Sequence, residues 1–168
     1  MEYSTQGQTA GGRYAQLQSA RSTFDREAKE SSKLTIPSLI PESTTGTRAK
    51  IKTPFQAVGA RGVNSLASKL LFALLPPSTA FFKLSIDSLE LLKQGQEGLE
   101  TEIDKGLRTI ETALMNEIEI SNDRVAMFEA LKHLIVGGNV LLYLTDDGLK
   151  VYPLSKFVCK RDAVGNVL

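Results

Sequence analysis

The chain has 168 residues, of which 42% are hydrophobic and 23% charged, with a formal net charge of +1 at pH 7. That is chain enough for one domain with a real core, and the composition argues against disorder along its whole length. The longest apolar run, Leu70 to Pro77, is far short of the roughly 18 residues of a membrane span, and the polar start MEYSTQGQTAGG holds no signal-peptide core.

Tyr14, Leu17, Phe24 and Ala28 recur at spacings of three, seven and four, with Arg13, Arg21, Arg26 and Lys29 interleaved, which predicts one amphipathic helix. Thr35 to Thr53 carries Pro37, Pro41 and Gly46 and shows no period, so it reads as an extended loop. Arg48, Lys50 and Lys52 form a basic triplet near its end, an arm in preference to a short strand.

From Thr53 to Pro77 the sequence TPFQAVGARGVNSLASKLLFALLPP is a punctuated helix. Thr53 is a natural cap, Pro54 suits the first helical position and Gln56 sits where a capping-box partner reaches back. Val63, Leu66, Leu70 and Leu74 share one face, and Pro76-Pro77 stops the helix. Gly59 and Gly62 each cost about 1 kcal/mol relative to Ala in a helix interior. Close approach of another backbone is the expected compensation for both.

Ala80 to Ile86 has the composition of a strand, and Asp87-Ser88 offers a cap after it. Leu99, Ile103, Leu107, Ile110, Leu114 and Ile118 step by four, four, three, four and four, which predicts a long amphipathic helix entered irregularly at Gly95 and Gly98. Ser121-Asn122-Asp123 ends it and starts another, with Val125, Phe128, Leu131 and Ile135 on one face and a left-handed stop at Gly137-Gly138. Val140 to Leu144 then reads as a buried strand, Asp146-Asp147-Gly148 as a hairpin turn and Leu149 to Tyr152 as the return strand. Phe157 to Lys160 predicts a further strand, Asp162 to Asn166 a turn, and Val167-Leu168 the start of another strand. An unpaired apolar strand at the terminus is an awkward ending for a domain, so the expectation is a chain truncated within a strand.

The near-zero net charge hides a division. Residues 1–80 carry ten Lys or Arg against five Asp or Glu, +5; residues 81–168 carry ten against fourteen, −4. The stretch from Glu90 to Glu119 holds eight acids against Lys93, Lys105 and Arg108. Such a helix face is ordinarily solvated. The sharper reading is that the acidic face of one subunit meets the basic first half of its neighbour.

The Thr53–Pro77 stretch resembles the amino-terminal region of the head-to-tail connector (portal) proteins of short-tailed bacteriophages. Three further stretches resemble the same family in the same order: Thr35-Ile-Pro-Ser-Leu-Ile-Pro41, Met127 to Leu144 and Tyr152 to Leu168. The resemblance spans nearly all of the chain past residue 12 and only about the first third of a family member. Departures are concentrated in the first 12 residues and in the Glu42 to Arg48 loop.

The resemblance implies an α+β fold, mixed helices with a small, mainly antiparallel sheet, forming an incomplete wing region of a portal protein. Residues 1–12 would be a flexible N-terminus and 13–168 the amino-terminal wing part. The implied function is structural: a homo-oligomeric ring, a dodecamer, at one capsid vertex, through which the viral genome is packaged and ejected and to which the tail attaches. The implied partners are other copies of the chain, capsid and scaffolding proteins, the packaging terminase, tail adaptor proteins and the double-stranded DNA passing through the complete ring, with no membrane. The implied location is the virion, after assembly in the host bacterial cytoplasm.

No catalytic constellation, cofactor site or metal site emerges from the residues. His133 is the only histidine and Cys159 the only cysteine, so one chain offers neither a zinc site of the usual type nor an internal disulfide, which fits a reducing compartment. Glu129 lies one turn before His133, in what reads as a helix-surface position. Gly59-Ala-Arg-Gly62 lacks the spacing and the Lys-Ser/Thr ending of a phosphate loop. Arg48, Lys50 and Lys52, with Arg13, Arg21, Arg26, Lys29 and Lys33, carry the alternative reading, a small free-standing DNA-binding or regulatory domain. No enzymatic activity is expected.

Overall fold

In the computed structural model the described residues are 9–41, 53–77, 79–86, 99–162 and 164–167. They form helices α1 (Ala10–Ala20), α2 (Ser22–Leu34), α3 (Val58–Leu74), α4 (Leu99–Ile120) and α5 (Asp123–Gly137). Strands β1 (Val140–Thr145) and β2 (Gly148–Pro153) and a short 3-10 turn, Leu154–Lys156, complete the set. The fold is α+β, with a two-stranded antiparallel sheet in which Val140 pairs with Pro153 and Thr145 with Gly148.

Helix α5 is the axis of the molecule, packing against α2, α3 and both strands. The core joins Ala28 of α2, Ile40, Val63 of α3, Val136 of α5 and Leu154, ringed by Ile36, Leu39, Ile135 and Phe157. Because α5 is covered from several sides, its burial exceeds the predicted stripe: Leu131 is buried, but so are Ala130, His133, Val136 and Gly137, while Val125 stays exposed. The helix stops at Gly138, whose φ of 70° is the left-handed conformation glycine adopts without penalty. Gly137 gives the close approach, since a β-carbon there would lie 3.1 Å from Ile40 Cδ1.

The single N-terminal helix expected from the Tyr14–Ala28 pattern is two helices that part at Arg21, whose φ of −95° and ψ of 3° leave the helical range. The side chain explains the site of the break. Arg21 Nη1 donates to the Phe157 carbonyl at 2.9 Å and Nη2 to the Leu154 carbonyl at 3.0 Å, tying the chain here to residues more than 130 positions away.

The start of the Thr35–Thr53 segment is a packed turn and not an extended loop. Ile36-Pro-Ser-Leu39 closes through Leu39 N donating to the Ile36 carbonyl, with Pro37 at the second turn position it favours. Ser32, fully buried, pins this turn: its Oγ donates to the Ile36 carbonyl at 2.9 Å and accepts from Ile40 N at 3.2 Å. Ile40 is thereby held in the core.

Helix α3 begins at Val58, later than the capping box at Thr53 and Gln56 predicts, and its cap, Ala57, contributes no side-chain bond. The end of α2 lies against this end. A β-carbon on Gly59 would overlap the Leu34 carbonyl oxygen and lie 3.2 Å from Thr35 Cα, so the first turn of α3 meets the backbone where α2 stops. Gly62, expected to serve the same purpose, has nothing within 4 Å of its missing β-carbon among the described residues. The buried pair on α3 is Val63 and Ala67, with Leu66 and Leu74 exposed. At the far end Arg124 Nη2 donates to the Leu75 carbonyl, satisfying one of the orphan acceptors of a helix terminus.

Two predicted strands are not strands. Residues 80–86 are irregular, with Leu84 N donating to Glu111 Oε1 of α4 at 2.6 Å, and residues 157–160 are irregular beneath α1 and α2. Without a neighbour to pair with, β-prone composition does not make a ladder. Val167 is not unpaired as expected: it bridges back to Arg161 across a turn in which Asp162 Oδ1 accepts from Val164 N and Asn166 N. The arm at Arg48, Lys50 and Lys52, the cap at Asp87-Ser88 and the helix entry at Gly95 and Gly98 lie outside the described residues.

Candidate functional site

The residues with catalytic or ligating chemistry are dispersed. His133 lies inside α5's packing, 5% exposed, which corrects the expectation of a surface histidine. Its Nε2 is 3.8 Å from Glu129 Oε1, and its buried Nδ1 has no hydrogen-bond partner among the described residues. Burial pulls its pKa below 6.5, Glu129 opposing and Lys132 adding to the shift. Cys159 is half-buried on the coil after β2. Among the described residues no three His, Cys, Asp or Glu are placed to hold a metal ion, and no helix is long and apolar enough to cross a membrane.

Arg21 lines an apolar cleft. It is paired with Asp25, Nε to Oδ1 at 2.9 Å but out of line for a hydrogen bond, and stands 6.0 Å from the centre of the Phe157 ring. The cleft around it, about 510 Å³, is walled by Leu17, Phe24, Leu154 and Phe157, with Lys160 and Arg161 beside them. Arg161 is engaged, donating to the Gly165 carbonyl at 3.1 Å and to Asn139 Oδ1 at 3.1 Å. Arg21 is therefore a structural clamp and not part of a solvent-facing basic stripe; Arg13, Arg26 and Lys33 remain exposed.

The larger feature is apolar surface left in solvent. The run Val140 to Leu144 reads as a buried strand, yet Leu141, Leu142, Tyr143 and Leu144 are all exposed, Leu144 by 73%. Neighbouring residues of a strand point to opposite faces, so apolar side chains on both faces of β1 reach solvent although α5 packs against the hairpin. Near the turn, Leu149 N donates to Asp123 Oδ1 at 2.8 Å. On α4 the predicted apolar row is half used: Ile103, Leu107 and Ile118 are half-buried, while Ile110 is 51% exposed and Leu114 is exposed. On α3, Val58, Leu66 and Phe72 are exposed as well. Apolar area of this extent marks surface that other protein covers. Sequence reasoning missed it because apolar spacing identifies a face without saying what lies against it.

The chain matches the model of the bacteriophage head to tail connecting protein family over residues 7–168. It is 44% identical over 163 residues to the portal protein of Escherichia phage T7, covering 92% of this chain and 30% of that protein. It is 31% identical over 178 aligned positions to the portal protein of Enterobacteria phage SP6, covering 100% of this chain and 33% of the relative. The portal protein of Pseudomonas phage phiKMV is 29% identical over 146 residues, 85% of this chain and 29% of that protein. The chain thus spans about a third of the length of these relatives. A match across nearly every described element, at this identity, places the chain in the bacteriophage head-to-tail connecting protein family.

Proposed function

We propose that the chain is the amino-terminal wing part of a portal subunit, whose complete form assembles into a ring, a dodecamer, at one capsid vertex. The carrying observation is the 44% identity to the portal protein of Escherichia phage T7 over 92% of this chain. The physical support is the apolar surface of β1, α3 and α4, which a closed, free-standing domain would have buried.

In this role the segment does no chemistry. Its contribution is a rigid body, centred on α5, that presents surfaces to the rest of the subunit and to neighbouring copies. The finished ring would contact capsid and scaffolding proteins, the packaging terminase and the tail, and would admit the genome in both directions. The particle it belongs to would be the virion, after assembly in the cytoplasm of the bacterial host.

The test is a chimera in which this chain replaces the matching segment of the portal protein of Escherichia phage T7, with the purified product imaged by electron microscopy. Closed rings are expected. A soluble, folded chimera that stays monomeric contradicts the proposal.

A further inference from the structure

Two helices carry a glycine that their own chain does not explain. Gly62 of α3 and Gly106 of α4 are both exposed, and a β-carbon on either would meet nothing within 4 Å among the described residues. Each sits inside a helix, where glycine costs about 1 kcal/mol relative to alanine. Gly59, by contrast, is accounted for by α2.

The surroundings of these glycines are complementary. Around Gly62, helical spacing of three and four gathers Val58, Leu66 and Lys69, all exposed, with Arg61 and Phe72, also exposed, at the edge of that face. Helix α3 contains those two cations and no acid. Around Gly106 the same spacing gathers Glu102, Ile110, Ala113 and Glu117, again all exposed. Helix α4 carries six acids against Lys105 and Arg108, a net −4. One face is apolar, cationic and notched by a glycine; the other is apolar, anionic and notched by a glycine.

We infer that the outer face of α3 in one copy docks on the outer face of α4 in the next copy, with Gly62 and Gly106 allowing the two helices to approach closely. Both faces belong to the same chain and are different surfaces, so the contact is heterologous and passes from copy to copy, which closes into a ring when the rotation allows. Opposite charge around the apolar centre fixes the pairing and disfavours α3 against α3 or α4 against α4. The inference deepens the portal reading and rests on it for the expectation of repeated copies.

The experiment uses the 168-residue chain and charge exchange, read by sedimentation velocity at low salt. One variant combines Arg61→Glu with Lys69→Glu, so that both faces are acidic; the other combines Glu102→Lys with Glu117→Lys, so that both are basic. The wild-type chain is expected to associate with rising concentration, each variant alone to sediment as a monomer, and the equimolar mixture to associate again, because every contact in an alternating array is then between opposite charges. Rescue on mixing requires folded chains, so it cannot arise from misfolding. Gly62→Leu supplies an independent readout: the melting temperature of the chain is expected to hold or rise while association falls by about tenfold or more.

A wild-type chain that stays monomeric, variants that associate as the wild type does, a mixture that remains monomeric, or Gly62→Leu associating normally would each overturn the contact. Failure here is separable from failure of the portal reading. Chimeric rings that still form with both cations of α3 reversed would overturn the contact alone, whereas absence of rings from the unmodified chimera counts against the portal reading.

Discussion

Helices α4 and α5 are joined by Ser121 and Asn122, and both carry apolar residues at helical spacing, but they sit in opposite surroundings. Helix α5 is enclosed by α2, α3 and the hairpin, and even its histidine is out of solvent. Helix α4 keeps Ile110 and Leu114 in water, and the hairpin that follows α5 exposes four consecutive large side chains. The contrast shows a molecule in two parts: a closed core, and a margin whose apolar surface stays in solvent. Stability should therefore respond strongly to changes in the first part and weakly to the same changes in the second.

The widest gap is expected between two leucine truncations. Leu131→Ala, at a position 4% exposed, should lower the unfolding free energy by about 2 to 5 kcal/mol, whereas Leu144→Ala in the hairpin should cost well under about 1 kcal/mol. Urea unfolding of the two variants checks this, and equal losses would erase the division between core and margin. Next in size is the clamp. Arg21→Met leaves the Leu154 and Phe157 carbonyls without their charged donors, a loss of about 1.5 to 3 kcal/mol by the same measurement.

The two glycines of α3 make the comparison within one helix. Gly59→Leu forces a side chain into the Leu34 carbonyl and should cost about 1 to 3 kcal/mol, occasionally more. Gly62→Leu meets open space and should stabilise the isolated chain by up to about 1 kcal/mol through helix propensity. Thermal melts of both variants should move in opposite directions. Movement in the same direction would mean that α3 is packed on both sides.

The smallest effect concerns acid. His133 is neutral in the folded chain because burial disfavours its charged form, and its pKa lies below 6.5. As pH falls through 6.5 the unfolded chain takes up a proton that the folded chain resists, so stability is full above that value, declines toward the lowered folded-state pKa and levels off beneath it. Urea midpoints at pH 7.5 and pH 5.5, roughly a unit either side of an ordinary histidine pKa, should show the decline. The ring resonances of His133 should titrate below 6.5. A histidine titrating at its ordinary value would show that the core around α5 is open to water.

Much of the secondary structure was legible in the sequence, because it is built from local signals that agree. The stepping of Leu99 to Ile118, the Ser121-Asn122 break, the Gly137-Gly138 stop and the Asp146-Asp147 turn each name an element boundary through backbone chemistry, and the structure follows them. What could not be read came from distant contacts. The break at Arg21 interrupts a pattern that runs smoothly through it, because its cause lies at Leu154 and Phe157. The burial of His133 depends on how many elements surround α5. The late start of α3 accompanies the contact of Gly59 with the backbone at the end of α2. Residues 80–86 and 157–160 have strand composition without a partner strand among the described residues. The apolar margin was legible as apolar, and the structure added that this chain leaves it open.

The most direct measurement of the two-part account is amide hydrogen exchange, residue by residue, on the 168-residue chain and on the same segment within the chimeric ring. Exchange reports local opening, so amides of α4 and β1 should slow by about tenfold or more on assembly, about 1.4 kcal/mol, while those of α5 change little. Protection that is equal in the two states across α4 and β1 would contradict the claim that this margin is completed by other protein.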